Sequence, residues 1–254
     1  MEFALISAGF AVGILTGMTS MGGAALMAPL LILVVGVRPV TAVGTDLVYG
    51  AFTKMVGAWV HLRQGTVDLA MVKRLAAGSA PGGIVGACTV VLLPHTLIPV
   101  DYYLRRFIGV VLIVVAAAVL LRISRVLKAI QPSQGMLDFL RGPGAIVFGA
   151  AAGFCVGVTS VGSGSLLAPF LMLLYPAKTN KIVGTDVFHA AVLVFVTAFV
   201  HASFGAVDWH LAANLLIGSV PGVIFGSRLA THIPPRPLRA TLALVLLCTG
   251  WKMF

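Results

Sequence analysis

The sequence predicts an all-α integral membrane protein of two tandem homologous repeats in inverted orientation. Each repeat opens with a broken or hairpin helix pair and continues with three transmembrane helices. Three observations carry this prediction. Hydrophobic residues make up 59% of the 254 and charged residues only 9%, with a mean hydropathy of +1.08, against roughly 25% charged residues in soluble domains. The chain also contains itself twice at an offset of 140 residues, with about 31 of 78 positions identical and no gap between Gly9–Gly86 and Gly149–Gly226. The third observation is the placement of the basic residues, taken up after the elements.

A membrane-crossing helix needs about 20 mostly apolar residues, and such stretches fall near 3–36, 40–62, 69–93 and 101–121. They return near 143–175, 180–203, 208–230 and 236–254. The organisation is a first transmembrane repeat (1–121), a basic inter-repeat linker (122–142) and a second transmembrane repeat (143–254). Glu2 stands where a cleavable leader would be basic, so the first helix reads as retained. The first stretch of each repeat is too long for one straight crossing, since 34 residues would span roughly 50 Å against a hydrocarbon core of about 30 Å. Gly17-Met-Thr-Ser-Met-Gly22-Gly23 divides it in the first repeat, and Gly157 to Gly164 divides it in the second.

If that stretch crosses once, the repeats are parallel and Lys plus Arg divide about 8 to 8 between the two sides. If it is a hairpin, the repeats are inverted. Arg63, Lys73, Arg74, Arg122, Arg125, Lys128, Arg141, Lys178, Lys181, Arg228, Arg236 and Arg239 then face Arg38, Arg105, Arg106 and Lys252. Twelve against four is the asymmetry of a cytoplasmic face, with both termini outside. The net charge of +10 therefore serves topology and attraction to anionic membrane lipid, not nucleic acid.

Gly9, Gly13 and Gly17, with Gly78, Gly82 and Gly86, form Gly-x-x-x-Gly spacings that recur 140 residues later and let helix backbones approach closely, between or within the repeats. Cys88, Cys155 and Cys248 are scattered and odd in number, which reads as small buried hydrophobes, not metal or redox chemistry. Trp59, Tyr102, Tyr103 and Trp209 fall near span ends as interfacial anchors.

The residues then resemble a known family. The broken glycine-rich segment followed by Ala28-Pro29-Leu30, the Val43-Gly44-Thr45-Asp46 that follows a loop bearing Arg38, the His61-x-x-x-Gly65-x-Val67-Asp68 turn and Gly78-Ser79-x-Pro81-Gly82 are similar to the sulfite exporter TauE/SafE family. The resemblance covers nearly the whole chain. It implies transport of small anions, chiefly sulfite and organosulfur compounds such as sulfonates. The turns here, Met21-Gly22-Gly23-Ala24-Ala25 and Val161-Gly162-Ser163-Gly164-Ser165, depart from the longer glycine run common in that family.

The turn chemistry points the same way. A helix that begins inside the membrane presents free N–H groups and the positive end of its dipole, a setting for oxyanions. Thr19, Ser20, Gly22 and Gly23, with Thr159, Ser160, Gly162, Ser163 and Ser165, supply hydroxyls and approachable backbone; the competing role for the hydroxyls is helix capping. Asp46 and Asp186 sit near the start of the second helix of each repeat, either as interfacial caps or deeper, as a coupling-ion ligand or proton acceptor. Lys54 lies about two turns beyond Asp46, where the second repeat has Val194, and could attract the anion, pair with an aspartate or snorkel. His189 replaces Tyr49 one turn after the aspartate. His61 and His201, at the far end of the same helix, are expected at the interface, with a proton relay as the alternative; Asp68 and Asp208 read as N-caps.

The expectation is a secondary transporter of a small sulfur-containing anion, a probable exporter, working by alternating access around a site between the repeats with a coupling proton or ion. An anion channel of the same architecture is the alternative. No Walker motif is present for ATP coupling, and neither His-Glu-x-x-His nor Gly-x-Ser-x-Gly supports an intramembrane enzyme. The motifs call for no metal and no cofactor.

Overall fold

The computed structural model describes residues 2–19, 24–93, 98–123, 139, 142–162, 164, 167, 171, 179–229 and 235–254. Its helices are α1 (Glu2–Thr19), α2 (Ala24–Leu30), α3 (Pro39–Arg63), α4 (Leu69–Leu92), α5 (Val100–Ile123), α6 (Pro143–Thr159), α7 (Thr179–Ser203), α8 (Trp209–Leu229) and α9 (Pro235–Lys252). A π-helical segment, Leu31–Val35, extends α2 and ends at Gly36 in the left-handed region. Proline at the first turn starts α3 and α6, where its missing N–H has no intrahelical partner to lose. Among the described residues α4, α5, α7 and α8 are long and apolar enough to cross a membrane. Exposed Val110, Val114, Phe199, Ile224 and Phe225 give the bundle a lipid-compatible exterior, so this is an all-helical membrane protein.

The glycine spacings are where the helices touch. Gly9, Gly13 and Gly17 of α1 meet Leu215, Ser219 and Val223 of α8. Gly149, Gly153 and Gly157 of α6 meet Leu75, Ser79 and Gly83 of α4. A Cβ added at Gly9 would stand 2.6 Å from the Leu215 carbonyl oxygen, which no real side chain tolerates. In lipid, with little hydrophobic force between helices, such backbone contact supplies the dispersion and polar attraction that hold them. The contacts run between the repeats: the first helix of each half lies along the third long helix of the other.

The second helices cross antiparallel. Gly44 at the start of α3 lies against Ala206 just beyond α7, Gly50 against Val194, Gly57 against Val187, and Gly184 at the start of α7 against Thr66 just beyond α3. The start of α5 meets the end of α9 in the same sense, with Arg105 Nη2 donating to the Lys252 carbonyl at 3.1 Å and Gly109 against Gly250. With α7 also packed on α4 and α3 on α8, the helices interleave. One group is α1, α2, α3 and α8, the other α4, α6 and α7, joined at the α3–α7 crossing, with α5 and α9 packed on each other.

Two repeated motifs clasp each other. After α3 and after α7, Gly65 (φ 67°) and Gly205 (φ 72°) take the left-handed conformation. Their amides bond the Leu62 and Ala202 carbonyls, and the next amides bond those of His61 and His201, which is the Schellman termination that glycine permits. Asp68 then caps α4 through Oδ1 to the Ala70 and Met71 amides, and Asp208 caps α8 through Oδ1 to the Leu211 amide. The Asp68 amide donates to Thr185 Oγ at 2.9 Å and the Asp208 amide to Thr45 Oγ at 3.1 Å. The Val-Gly-Thr of each repeat thus receives the turn of the other, glycine giving room and threonine accepting the bond.

Charged residues gather at the helix ends. Arg38 Nε pairs with Asp101 at 3.3 Å and His210 with Glu2 at 3.1 Å near the start of α3 and of α8. Lys181 pairs with Asp68 at 3.6 Å where α7 and α4 begin. Arg63 and Arg106 lie over the Trp59 and Tyr102 rings. Those two aromatics, with Tyr103 and Trp209, are exposed as membrane anchors would be. The cysteines are free.

Candidate functional site

The α3–α7 crossing carries the ionisable groups that neither clasp nor cap. Asp46 directly follows Thr45, seven residues into α3, so its side chain is turned to the interior and cannot cap the helix, whose N-cap is Arg38. It is 1% exposed and neither carboxylate oxygen has a hydrogen-bond partner. The Ser160 hydroxyl and the Ala28 amide stand beside it without closing to hydrogen-bond geometry. Asp186, also buried, lies beside Gly164, whose added Cβ would come 3.6 Å from Oδ2. The turn after α6 therefore touches the aspartate of both repeats.

That turn is built by its own residues. Thr159, fully buried, donates through Oγ to the Cys155 carbonyl at 2.7 Å and accepts from the Val161 amide at 3.1 Å. Its hydroxyl is spent on ending the helix, the capping role of the two foreseen for it. Ser160 takes the left-handed conformation (φ 62°, ψ −13°) and Gly162 follows at φ 107°. A left-handed serine is uncommon, and here it turns the hydroxyl towards Asp46. In the first repeat Thr19 is the last residue of α1, and its side chain lies outside the description. Ser20, Gly22 and Gly23, with Ser163 and Ser165, lie outside the described residues.

Lys54, half-buried, is near enough to both Asp46 and Asp186 for direct electrostatic attraction. The register explains it. Lys54 is eight residues beyond Asp46, roughly 12 Å along the helix, and helical side chains lean towards the N-terminus. On its other side Gly57 touches Val187, next to Asp186. One ammonium thus serves two carboxylates from opposite repeats.

Tyr49 and His189 occupy equivalent positions and are both enclosed, at 1% and 0% exposure. His189 Nε2 is 2.7 Å from Ser79 Oγ and its Nδ1 has no partner. The equivalent Tyr49 hydroxyl lies beside Ser219 and Thr16 without a hydrogen bond, while Ser219 Oγ bonds the Leu216 carbonyl of its own helix at 3.3 Å. Ser79 and Ser219 were legible as repeated members of Gly-Ser-x-Pro-Gly, but that spacing reads as packing. Thr45 and Thr185 were hidden inside a motif whose aspartate draws the attention.

The histidines at the helix ends part company. His61 is half-buried and its Nδ1 meets Thr66 Oγ1 at 3.0 Å, an end-of-helix position as expected. His201, also in the last turn of its helix, is fully buried with Nε2 donating to the Gly157 carbonyl at 3.0 Å. The reason is tertiary: the end of α6 and the start of α3, through Gly44, close over it. Among the described residues no three His, Cys, Asp or Glu side chains form a metal cluster.

An apolar helical bundle with ionisable groups enclosed at the crossing of its central helices has the architecture of a membrane transporter. The chain belongs to the sulfite exporter TauE/SafE family, which matches residues 5–253. It is 42% identical over 255 residues to the probable membrane transporter protein YjnA of Bacillus subtilis (strain 168), covering 100% of both chains. It is 27% identical over 242 residues to the probable membrane transporter protein YdhB of the same organism, covering 95% of each. A probable membrane transporter protein of Xylella fastidiosa (strain 9a5c) is 27% identical, over 88% of this chain and 81% of that one. No solved structure matches.

Proposed function

We propose that this membrane transporter is a multi-pass secondary carrier of the cell membrane. In this reading it exports a small sulfur-containing anion, such as sulfite or an organosulfonate, by alternating access around a site between two inverted repeats. The observation that carries the reading is that the turn after α6 presents Ser160 and Gly164 to Asp46 and Asp186, and that both aspartates attract Lys54. An ammonium, a hydroxyl and open backbone gathered about two buried carboxylates suit a sulfonate-type oxyanion. Support for inversion comes from the antiparallel α3–α7 and α5–α9 contacts, since equivalent helices that pack head to tail are related by an axis in the membrane plane. Arg38, Arg105 and Lys252 also gather at one end while Lys181 and Asp68 meet at the other, in keeping with the twelve-to-four division.

The test is binding followed by flux. A thermal-shift screen of purified protein against sulfite, sulfate, thiosulfate, sulfoacetate, taurine and carboxylates should show a raised melting temperature for sulfur oxyanions, because a ligand that binds only the folded state stabilises it. The same anion should then show saturable counterflow in proteoliposomes. Ohmic current would make the protein a channel, and no shift with any anion would remove the site.

A further inference from the structure

Counting charge at the α3–α7 crossing exposes a difficulty that the anion site must resolve. Among the described residues, the formally charged side chains at the crossing are the buried Asp46 and Asp186 and the half-buried Lys54, whereas the others lie at helix ends. With both carboxylates ionised the cluster carries one net negative charge, and an arriving monovalent anion would double it inside a medium that screens poorly. A proton arriving with the anion leaves the charge unchanged.

Geometry selects where that proton goes. Asp46 is the carboxylate whose two oxygens are both enclosed and without a hydrogen bond. The groups beside it, the Ser160 hydroxyl and the Ala28 amide, are donors that do not reach bonding geometry. Among the described residues these add one hydroxyl oxygen beside the carboxylate, short of the several oxygen ligands a hard cation takes. An ionised carboxylate in that state is already costly, and an anion arriving beside it makes it costlier still, so this is the carboxylate on which the accompanying proton settles. The neighbouring titratable groups are Lys54 and Tyr49 on α3, and Asp186 and His189 on α7. Lys54 is already a cation drawn to both carboxylates, and the Tyr49 hydroxyl is already neutral. His189 is engaged with Ser79 through Nε2.

We propose that Asp46 takes up a proton when the anion binds, so that the two occupy the crossing together and are carried as a pair. This rests on the anion site proposed above and gives it a coupling ion and a sign: each ligand tightens the binding of the other.

The experiment uses the full chain in nanodiscs and methanesulfonate as the probe, because its single negative charge does not change between about pH 5 and pH 9, whereas side chains such as histidine titrate within that range. Affinity should strengthen as pH falls, up to about tenfold per unit over part of that range. In weak buffer, each anion bound should draw up to one proton from solution. Asp46→Asn, which keeps the shape and removes the titration, should bind with an affinity that no longer depends on pH and should take up no proton. A wild-type affinity flat with pH, without proton uptake, would overturn the pairing while leaving the anion site standing. So would an Asp46→Asn protein that keeps the slope, and His189→Asn losing it would then place the proton on His189. If Asp46→Asn does not fold, the wild-type slope and proton uptake decide alone. Binding of no anion at any pH would remove the site itself.

Discussion

The two second helices, α3 and α7, share a beginning and differ in the middle. At their starts Val-Gly-Thr-Asp makes the same clasp in each repeat, with Gly44 and Gly184 under the opposing turn and Thr45 and Thr185 accepting the Asp208 and Asp68 amides. Farther along, Tyr49 and Lys54 of α3 correspond to His189 and Val194 of α7. The duplicated part is the part both repeats need in order to hold one another. The divergent part lies where both helices approach one interior, and a single asymmetric occupant imposes no reason for two equal walls.

The firmest way to break this comparison is through the shared framework. Gly153→Leu and Gly13→Leu should each cost about 3 kcal/mol or more by overpacking, since an added Cβ would stand 2.7 Å from Ser79 Cα and 2.8 Å from Ser219 Cα respectively. Thermal unfolding in detergent would read this, and a protein that tolerates one but not the other would refute the equivalence of the α1–α8 and α6–α4 contacts.

Next comes the divergent part. Lys54→Val should weaken anion binding about a hundredfold, or ~2.8 kcal/mol, with the fold retained. Adding Val194→Lys should not restore it, because the charge would then sit on the other wall. Calorimetric titration of both variants decides, and full rescue would mean that the two walls are interchangeable.

Smaller and symmetric losses are expected from the clasps. Thr45→Val and Thr185→Val each leave one backbone amide unpaired and should cost about 1–2 kcal/mol, alike within ~0.5 kcal/mol. A large difference in unfolding midpoint between them would show that the clasps are unequal. The smallest effect sharpens the contrast. Ser79→Ala removes the partner of His189 Nε2 and should cost about 1 kcal/mol, whereas Ser219→Ala removes only a long bond within its own helix and should cost less than about 0.5 kcal/mol.

Much of the framework was legible because its causes are local. The apolar lengths placed α3, α4, α5, α7, α8 and α9 within two residues of their ends, and Gly65 and Asp68 announced a helix stop and the next cap. Gly-x-x-x-Gly predicted close contact but left the partner open, since small residues at that spacing fit any neighbour with room. The site was harder. Asp46 could have been a cap, and Thr159 could have faced a ligand instead of closing α6. His201 is enclosed where His61 is not, because its ring bonds the Gly157 carbonyl at the end of α6.

By itself the sequence determined that the chain is a membrane protein, that it is doubled, and which positions differ between the copies, because hydropathy, repetition and helix-ending chemistry act over a few residues at a time. Only the tertiary structure decided that first and third helices exchange partners between repeats, and that Asp46 and Asp186 both act on Lys54. Those relations join residues more than a hundred positions apart, where no local preference reaches and only packing can choose.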